Sequence, residues 1–104
     1  MQKKWEVKTN DLKIIFTNEW NLSLNTKEQL IVNGNILSEK STTKSDKYKD
    51  IVMSNHKVKI KVDNNEYIIE IKLGSKWPGF IMGCHIFVNR ELIGGDVKSK
   101  LMYW

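Results

Sequence analysis

Lysine alternates with aliphatic residues throughout residues 57–62, and this pattern constrains the fold more than any other feature of the sequence. Successive side chains of a β-strand point to opposite faces, so such a run is typical of a strand with one dry face. A second, largely apolar run, residues 67–73, begins after four intervening residues. The two runs predict an antiparallel β-hairpin.

The register of this hairpin follows from its turn. A two-residue turn at Asn64-Asn65 would set Lys59 opposite Glu70, a favourable cross-strand pair. The apolar residues would then share the other face: Val58, Ile60, Val62, Tyr67, Ile69 and Ile71. We therefore expect these six side chains to meet in one dry interior.

Two more hairpins are predicted by paired apolar runs. Asn33-Gly34 separates the runs of the second, and this dipeptide suits a type I′ turn because both central residues take positive φ. Asn89-Arg90 separates the runs of the third. Because this dipeptide lacks a glycine, a longer loop is the alternative to a two-residue turn. Further strands are expected at residues 5–8, 12–17, 80–84 and 101–103, with a short one at 50–53.

Residues 38–47 are polar throughout, and we expect a surface loop there. A weak repeat surrounds this segment. The order strand, tryptophan, strand, asparagine turn, strand occurs around Trp20 and again around Trp77, roughly 56 positions later. Two such units suit two packed layers, although coincidence in a chain rich in Ile and Asn is the alternative.

Size and composition indicate one all-β domain. The chain has 104 residues, enough for a single core, and contains no alanine, the best helix former. Short strands separated by frequent turns predict a single-domain antiparallel β-sandwich of seven or eight strands over residues 1–104, with a small β-barrel as the alternative. No apolar run could span a membrane, and we see no signal peptide at the start.

The outline of the first third resembles the start of the Fas apoptotic inhibitory molecule family. Trp5-Glu6-Val7 is followed by the strand at residues 12–16 and then by the run that ends in Asn33-Gly34, where the family has an Asp-Gly turn. The resemblance implies a compact, non-catalytic β-sandwich that acts through protein contacts.

Few residues offer catalytic or metal chemistry. Cys84 and His85 are neighbours on a predicted strand and point to opposite faces, so they do not form a nucleophile–base pair. His56 could instead serve Cys84, with Asp50 or Asp96 as its orienting group. One Cys and two His residues are too few for a structural zinc site. We therefore expect no enzyme activity, cofactor or metal, and keep a cysteine-dependent enzyme as an alternative.

Two loops are candidates for ligand binding. Trp77-Pro78-Gly79-Phe80 brackets a proline turn with aromatic residues, which would anchor a partner if exposed and cap the core if packed inward. Gly94-Gly95 would allow close approach of a ligand, or would simply supply positive φ at a strand end. We predict that Trp77, Phe80, Gly94 and Gly95 form the binding site.

The chain is basic, with a net charge of +5 and a pI near 9.3. Lys57, Lys59 and Lys61 form a stripe that could follow a nucleic acid, or could be a solvated strand face. Arg90 is the one arginine, so only one side chain of the sequence can contact a phosphate through two parallel hydrogen bonds. The sequence thus predicts a non-enzymatic binding module with a protein partner, and nucleic-acid binding as the alternative. A single cysteine favours the cytoplasm.

Overall fold

The structure, a computed structural model, describes residues 1–23, 25–43, 45–47, 53–76, 81–101 and 104. The described residues contain eight strands in two antiparallel four-stranded sheets. The first sheet has the order β1 (Gln2–Lys8), β2 (Lys13–Trp20), β3 (Thr26–Val32) and β4 (Asn35–Thr42). The second has the order β5 (Ser54–Val62), β6 (Asn65–Ser75), β7 (Met82–Val88) and β8 (Glu91–Gly95). The predicted all-β sandwich is confirmed, and the two sheets do not close into a barrel.

The core lies between the two sheets and follows the predicted alternation. Phe16 and Leu30 from the first sheet are fully buried against Ile69, Ile71 and Ile86 from the second. The remaining members of the hairpin's apolar face pack against this core while partly buried: Val58, Ile60, Val62 and Tyr67. The six apolar side chains of the β5–β6 hairpin therefore share one face, as predicted.

The predicted register of that hairpin is wrong by two residues. The turn is formed by Asp63-Asn64, with φ of 48° and 69°, so Val62 pairs with Asn65. A shift by an even number of residues keeps every side chain on its face, because the period of a strand is two. It does change the cross-strand partners, and Lys59 lies opposite Ile68 rather than Glu70.

The other two turns both contain two residues. Asn33-Gly34 adopts positive φ at both positions, as predicted, and so does Asn89-Arg90 without any glycine. Each asparagine also accepts a hydrogen bond through Oδ1 from an amide of the neighbouring strand. The donor is Lys13 at 2.8 Å for Asn33 and Ile68 at 2.9 Å for Asn89. Asparagine tolerates positive φ and forms this local hydrogen bond in both turns.

Several predicted boundaries differ from the structure. Residues 38–42 belong to β4, so the loop predicted for 38–47 is wrong over that part. The strand is polar because it lies at a sheet edge with most of its side chains exposed. Leu101 forms an isolated bridge with Lys76 in place of a strand. Residues 50–52, 80 and 102–103, where further strand positions were predicted, lie outside the described residues.

The two halves of the chain repeat one another. Both sheets are simple meanders, and their last strand pairs are interrupted at Leu30/Ile31 and Ile86/Phe87, equivalent positions in the repeat. The asparagine turns described above follow these irregularities in each half. In the described residues there is no helix long and apolar enough to cross a membrane.

Candidate functional site

The predicted ligand loops fall into two groups. Trp77 and Phe80 lie outside the described residues. At Gly94, an added Cβ would lie 1.9 Å from Cγ2 of Val7, so the space beside this buried glycine is already filled. Gly95 has a φ of 84°, and a Cβ there would lie 2.2 Å from the Cys84 carbonyl oxygen. The structure therefore gives Gly94 and Gly95 roles in packing and backbone geometry.

Cys84 is not brought together with His56. The cysteine is fully buried on β7, and β6 separates it from His56 on β5. Burial, together with the nearby charge of Asp96, raises the pKa of the Cys84 thiol far above its ordinary value. Asp96 accepts a hydrogen bond from the Cys84 amide at 3.0 Å and does not contact the imidazole of His56. Asp50 lies outside the described residues.

The predicted lysine stripe lies on the outer face of β5. Lys57, Lys59 and Lys61 are exposed there, and β5 is an edge strand. Carboxylates on β6 interrupt the positive charge. Glu70 lies opposite Lys57, and Glu66 lies 3.7 Å from the Lys59 ammonium. The stripe is therefore partly neutralised by its own sheet.

Aromatic and aliphatic side chains share this outer face, which sequence reasoning missed. Phe87 on β7 lies opposite Glu70 on one side and Leu92 on the other, and Leu92 is 37% exposed. The Lys72 ammonium lies 5.1 Å from the centre of the Phe87 ring. The unbroken apolar run Ile86-Phe87-Val88 is compatible with a strand covered on both faces or with one face partly wet, so it did not reveal which side chain is exposed. We call this surface the Phe87 face: Lys57, Ile68, Glu70, Lys72, Phe87 and Leu92.

A buried hydrogen-bond network lies where the edge strands β4 and β5 face each other. His56 Nδ1 forms a hydrogen bond with the Ser38 hydroxyl at 2.7 Å. The other ring nitrogen, Nε2, lies 2.8 Å from Oε1 of Glu28. His56 and Glu28 are each 1% exposed. The ring of Phe16 meets the imidazole edge to face at 5.1 Å. The network joins three strands from both sheets.

The order hydroxyl, imidazole, carboxylate is also that of a serine hydrolase. Here, however, Ser38 lies in register with the buried Leu30 and faces the interior of the sandwich. Both ring nitrogens of His56 are engaged, and the ring is shielded from solvent. A substrate carbonyl would have to enter the core to reach the Ser38 hydroxyl. The arrangement is suited to holding the sheets together.

A cleft of about 450 Å³ opens beside this network, along the gap between β4 and β5. Its lining includes Glu28, Lys40, Thr42, Ser54, Asn55 and Trp104. We call it the seam cleft. The Lys40 ammonium donates to the Asn55 carbonyl across the gap and so connects the two edge strands. No motif in the sequence marks this cleft, because its walls come from four separate parts of the chain.

In the described part of the chain, no group of three His, Cys, Asp or Glu side chains could hold a metal ion. Comparison of the chain with protein-family models, curated proteins and solved structures finds no match. The resemblance to the Fas apoptotic inhibitory molecule family therefore stays a prediction.

Proposed function

We propose that the chain is a non-enzymatic binding module that holds an acidic segment of a partner protein on the Phe87 face. The proposal rests on one observation: apolar side chains form a cluster on the solvent side of the second sheet. Ile68 and Phe87 are half-buried there, and Leu92 is exposed. Solvent-facing sheet surfaces are usually polar, and an apolar cluster rimmed by polar groups is typical of an interaction surface.

The charges around the cluster favour an acidic partner. Lys72 lies against the Phe87 ring, and Lys57 lies on β5 on the far side of Glu70. Lys59 continues the row of lysines along β5, beside Glu66. Glu70 is the one carboxylate among the residues that define the face. A rim of this kind steers an oppositely charged partner and sets its orientation, while the apolar cluster supplies most of the binding free energy.

Capture from a lysate followed by cross-linking tests this proposal. A photo-reactive group at position 92 should cross-link to an acidic segment of the captured protein. Phe87→Ala and Lys57→Glu should each weaken capture at least about tenfold, which corresponds to about 1.4 kcal/mol. Lys13→Glu is the matched control, because Lys13 is an exposed strand lysine on the other sheet. Equal capture by all three variants, with circular dichroism showing that they fold, would contradict the proposal.

Nucleic-acid binding is the second candidate, and the position of Phe87 favours it. An aromatic ring between lysines can stack on a base while the ammonium groups contact phosphates. This candidate predicts that a fluorescent oligothymidylate binds at low salt, with an affinity that falls steeply as salt rises and is lost in Phe87→Ala. Absence of binding at low salt would remove it.

The non-enzymatic part of the proposal makes a separate prediction. Cys84 should resist alkylation by iodoacetamide in the folded protein and react fully once urea has unfolded it, because the thiol is buried and its pKa is raised. Ser38 should not be labelled by a fluorophosphonate probe. Mass spectrometry measures both reactions. Rapid labelling of either residue in the folded protein would favour an enzyme instead.

A further inference from the structure

We infer that the seam cleft binds a neutral saccharide, a function separate from the partner binding proposed for the Phe87 face. The volume of about 450 Å³ lies within the range of about 300–1,000 Å³ that is usual for small-molecule sites. The lining combines an aromatic wall with a carboxylate and several hydroxyl and amide groups. This combination matches a ligand that has apolar C–H faces and many hydroxyl groups.

Trp104 supplies the aromatic wall. Its indole Nε1 donates to the Leu73 carbonyl at 3.1 Å, and the Lys72 ammonium lies 5.2 Å from the ring centre. These two contacts hold the ring in place, although the residue is 41% exposed. A ring that is oriented before binding loses little entropy when a sugar packs its C–H face against it.

Glu28 supplies a carboxylate whose position is set by the protein. Its Oε1 lies 2.8 Å from His56 Nε2, and the residue lines the cleft while being 1% exposed. A carboxylate has two oxygens and can accept from several donors, so Glu28 retains capacity to accept from a ligand hydroxyl. The buried position strengthens such a bond, because water competes little there.

The remaining polar groups favour a neutral ligand over an ion. Lys40 opposes the charge of Glu28 within the same cleft, so neither anions nor cations are favoured by the net charge. The Ser54 hydroxyl can both donate and accept, and the Thr42 hydroxyl, which shares one hydrogen bond with Thr26, keeps a further lone pair. The Asn55 Nδ2 already donates to Glu70 and to the Ile71 carbonyl, so this side chain is left to accept through Oδ1. Saccharide hydroxyls both donate and accept, so they can pair with each of these groups.

Nuclear magnetic resonance with four neutral hexasaccharides tests the inference: cellohexaose, xylohexaose, maltohexaose and chitohexaose. At least one should give saturable shifts in the amide signals of Thr42, Ser54 and Asn55 and in the indole signal of Trp104. Trp104→Ala should weaken that binding about tenfold or more. Leu92→Ala is the control, because Leu92 is exposed on the Phe87 face and away from the cleft. Ser54→Ala provides a second cleft variant and should also weaken binding.

Several results would overturn the inference. These are no shifts with any of the four sugars at about 10 mM, shifts that map outside the cleft, or unchanged binding in both Trp104→Ala and Ser54→Ala. Preferential binding of the anionic polygalacturonate over all four neutral sugars would also overturn it. Lys72 lies against both the Phe87 ring and the Trp104 ring, so Leu92→Ala is the variant that separates the two proposals. It should weaken partner capture on the Phe87 face and leave sugar binding intact, so failure of one proposal is distinguishable from failure of the other.

Discussion

At the scale of single residues, Asp96 connects more parts of the molecule than any local pattern suggests. Its Oδ2 accepts from the Trp5 indole at 3.0 Å and from the Cys84 amide at 3.0 Å, and its Oδ1 lies 3.0 Å from the Lys76 ammonium. Burial alone would raise the pKa of Asp96, but the hydrogen bonds from Lys76, Cys84 and Trp5 outweigh it and lower the pKa. The carboxylate thus ties both sheets to the segment after β8.

The lowered pKa of Asp96 predicts a stability that depends on pH. A carboxyl group whose pKa is lower in the folded protein than in the unfolded chain stabilises the fold at any pH above its unfolded-state pKa, ordinarily 3.8. This stabilisation is lost as the pH falls through the folded-state pKa. Asp96→Asn should therefore reduce the free energy of unfolding at pH 7, and the difference from the wild type should shrink below about pH 4. Urea unfolding measured from pH 7 to pH 3 checks this. A constant difference over that range would contradict the assignment.

At the scale of elements, the close approach of β1 and β8 depends on one missing side chain. Gly94 on β8 faces Val7 on β1, and the strands could not lie this close with a Cβ at position 94. In the asparagine turns, too, one residue serves two purposes: it adopts positive φ, and its side-chain oxygen accepts a hydrogen bond from an amide of the adjacent strand. In each case a single residue type sets the distance or direction of a whole strand.

The contact between β1 and β8 makes a prediction about packing. Gly94→Ala should lower the free energy of unfolding by about 1–3 kcal/mol, because the new methyl group overlaps Val7 and forces the strands apart. Val7→Ala in the same chain should recover part of the loss by making room. Urea unfolding of the two single variants and the double variant measures this coupling. Additive losses would show that Val7 is not the group that excludes the methyl.

The sequence predicted most elements because alternation and turn chemistry are local. The faces of the β5–β6 hairpin and the turn at Asn33-Gly34 follow from neighbouring residues alone. The choice between Asp63-Asn64 and Asn64-Asn65 does not, because aspartate and asparagine both tolerate positive φ. Tyr67 illustrates what lies beyond local reasoning. Its hydroxyl donates to Asp11 at 2.8 Å, a contact made across the sandwich between residues far apart in the chain.

At the scale of the whole molecule, the sandwich consists of two similar halves that bury their inner faces against each other. Most contacts between them are apolar, as between Phe16 and the second sheet. His56 differs, because it carries hydrogen bonds from β5 to β3 and β4 of the first sheet. Removal of a buried partner leaves the other polar group without compensation, so we expect this network to respond strongly to substitution.

His56→Leu should lower the free energy of unfolding by about 3–5 kcal/mol, because Glu28 would stay buried without its partner. The double variant His56→Leu with Glu28→Leu should recover much of that loss. Ser38→Ala should cost less, about 1–3 kcal/mol, because it leaves His56 Nδ1 without its partner but leaves the contact between His56 and Glu28 in place. Urea unfolding followed by circular dichroism measures all three. A cost below about 1 kcal/mol for His56→Leu would show that the network contributes little.

The sequence by itself determined most of the strands, the side of the β5–β6 hairpin that faces the core, and the turn at Asn33-Gly34. These depend on residues within a few positions of one another, and a period of two preserves them even when the register shifts. Tertiary structure alone decided which strand edges of the two sheets meet. Glu28, Ser38 and His56 converge for that reason. Alternation specifies a direction for each side chain but not the strand that lies opposite, and that choice depends on how two whole faces pack.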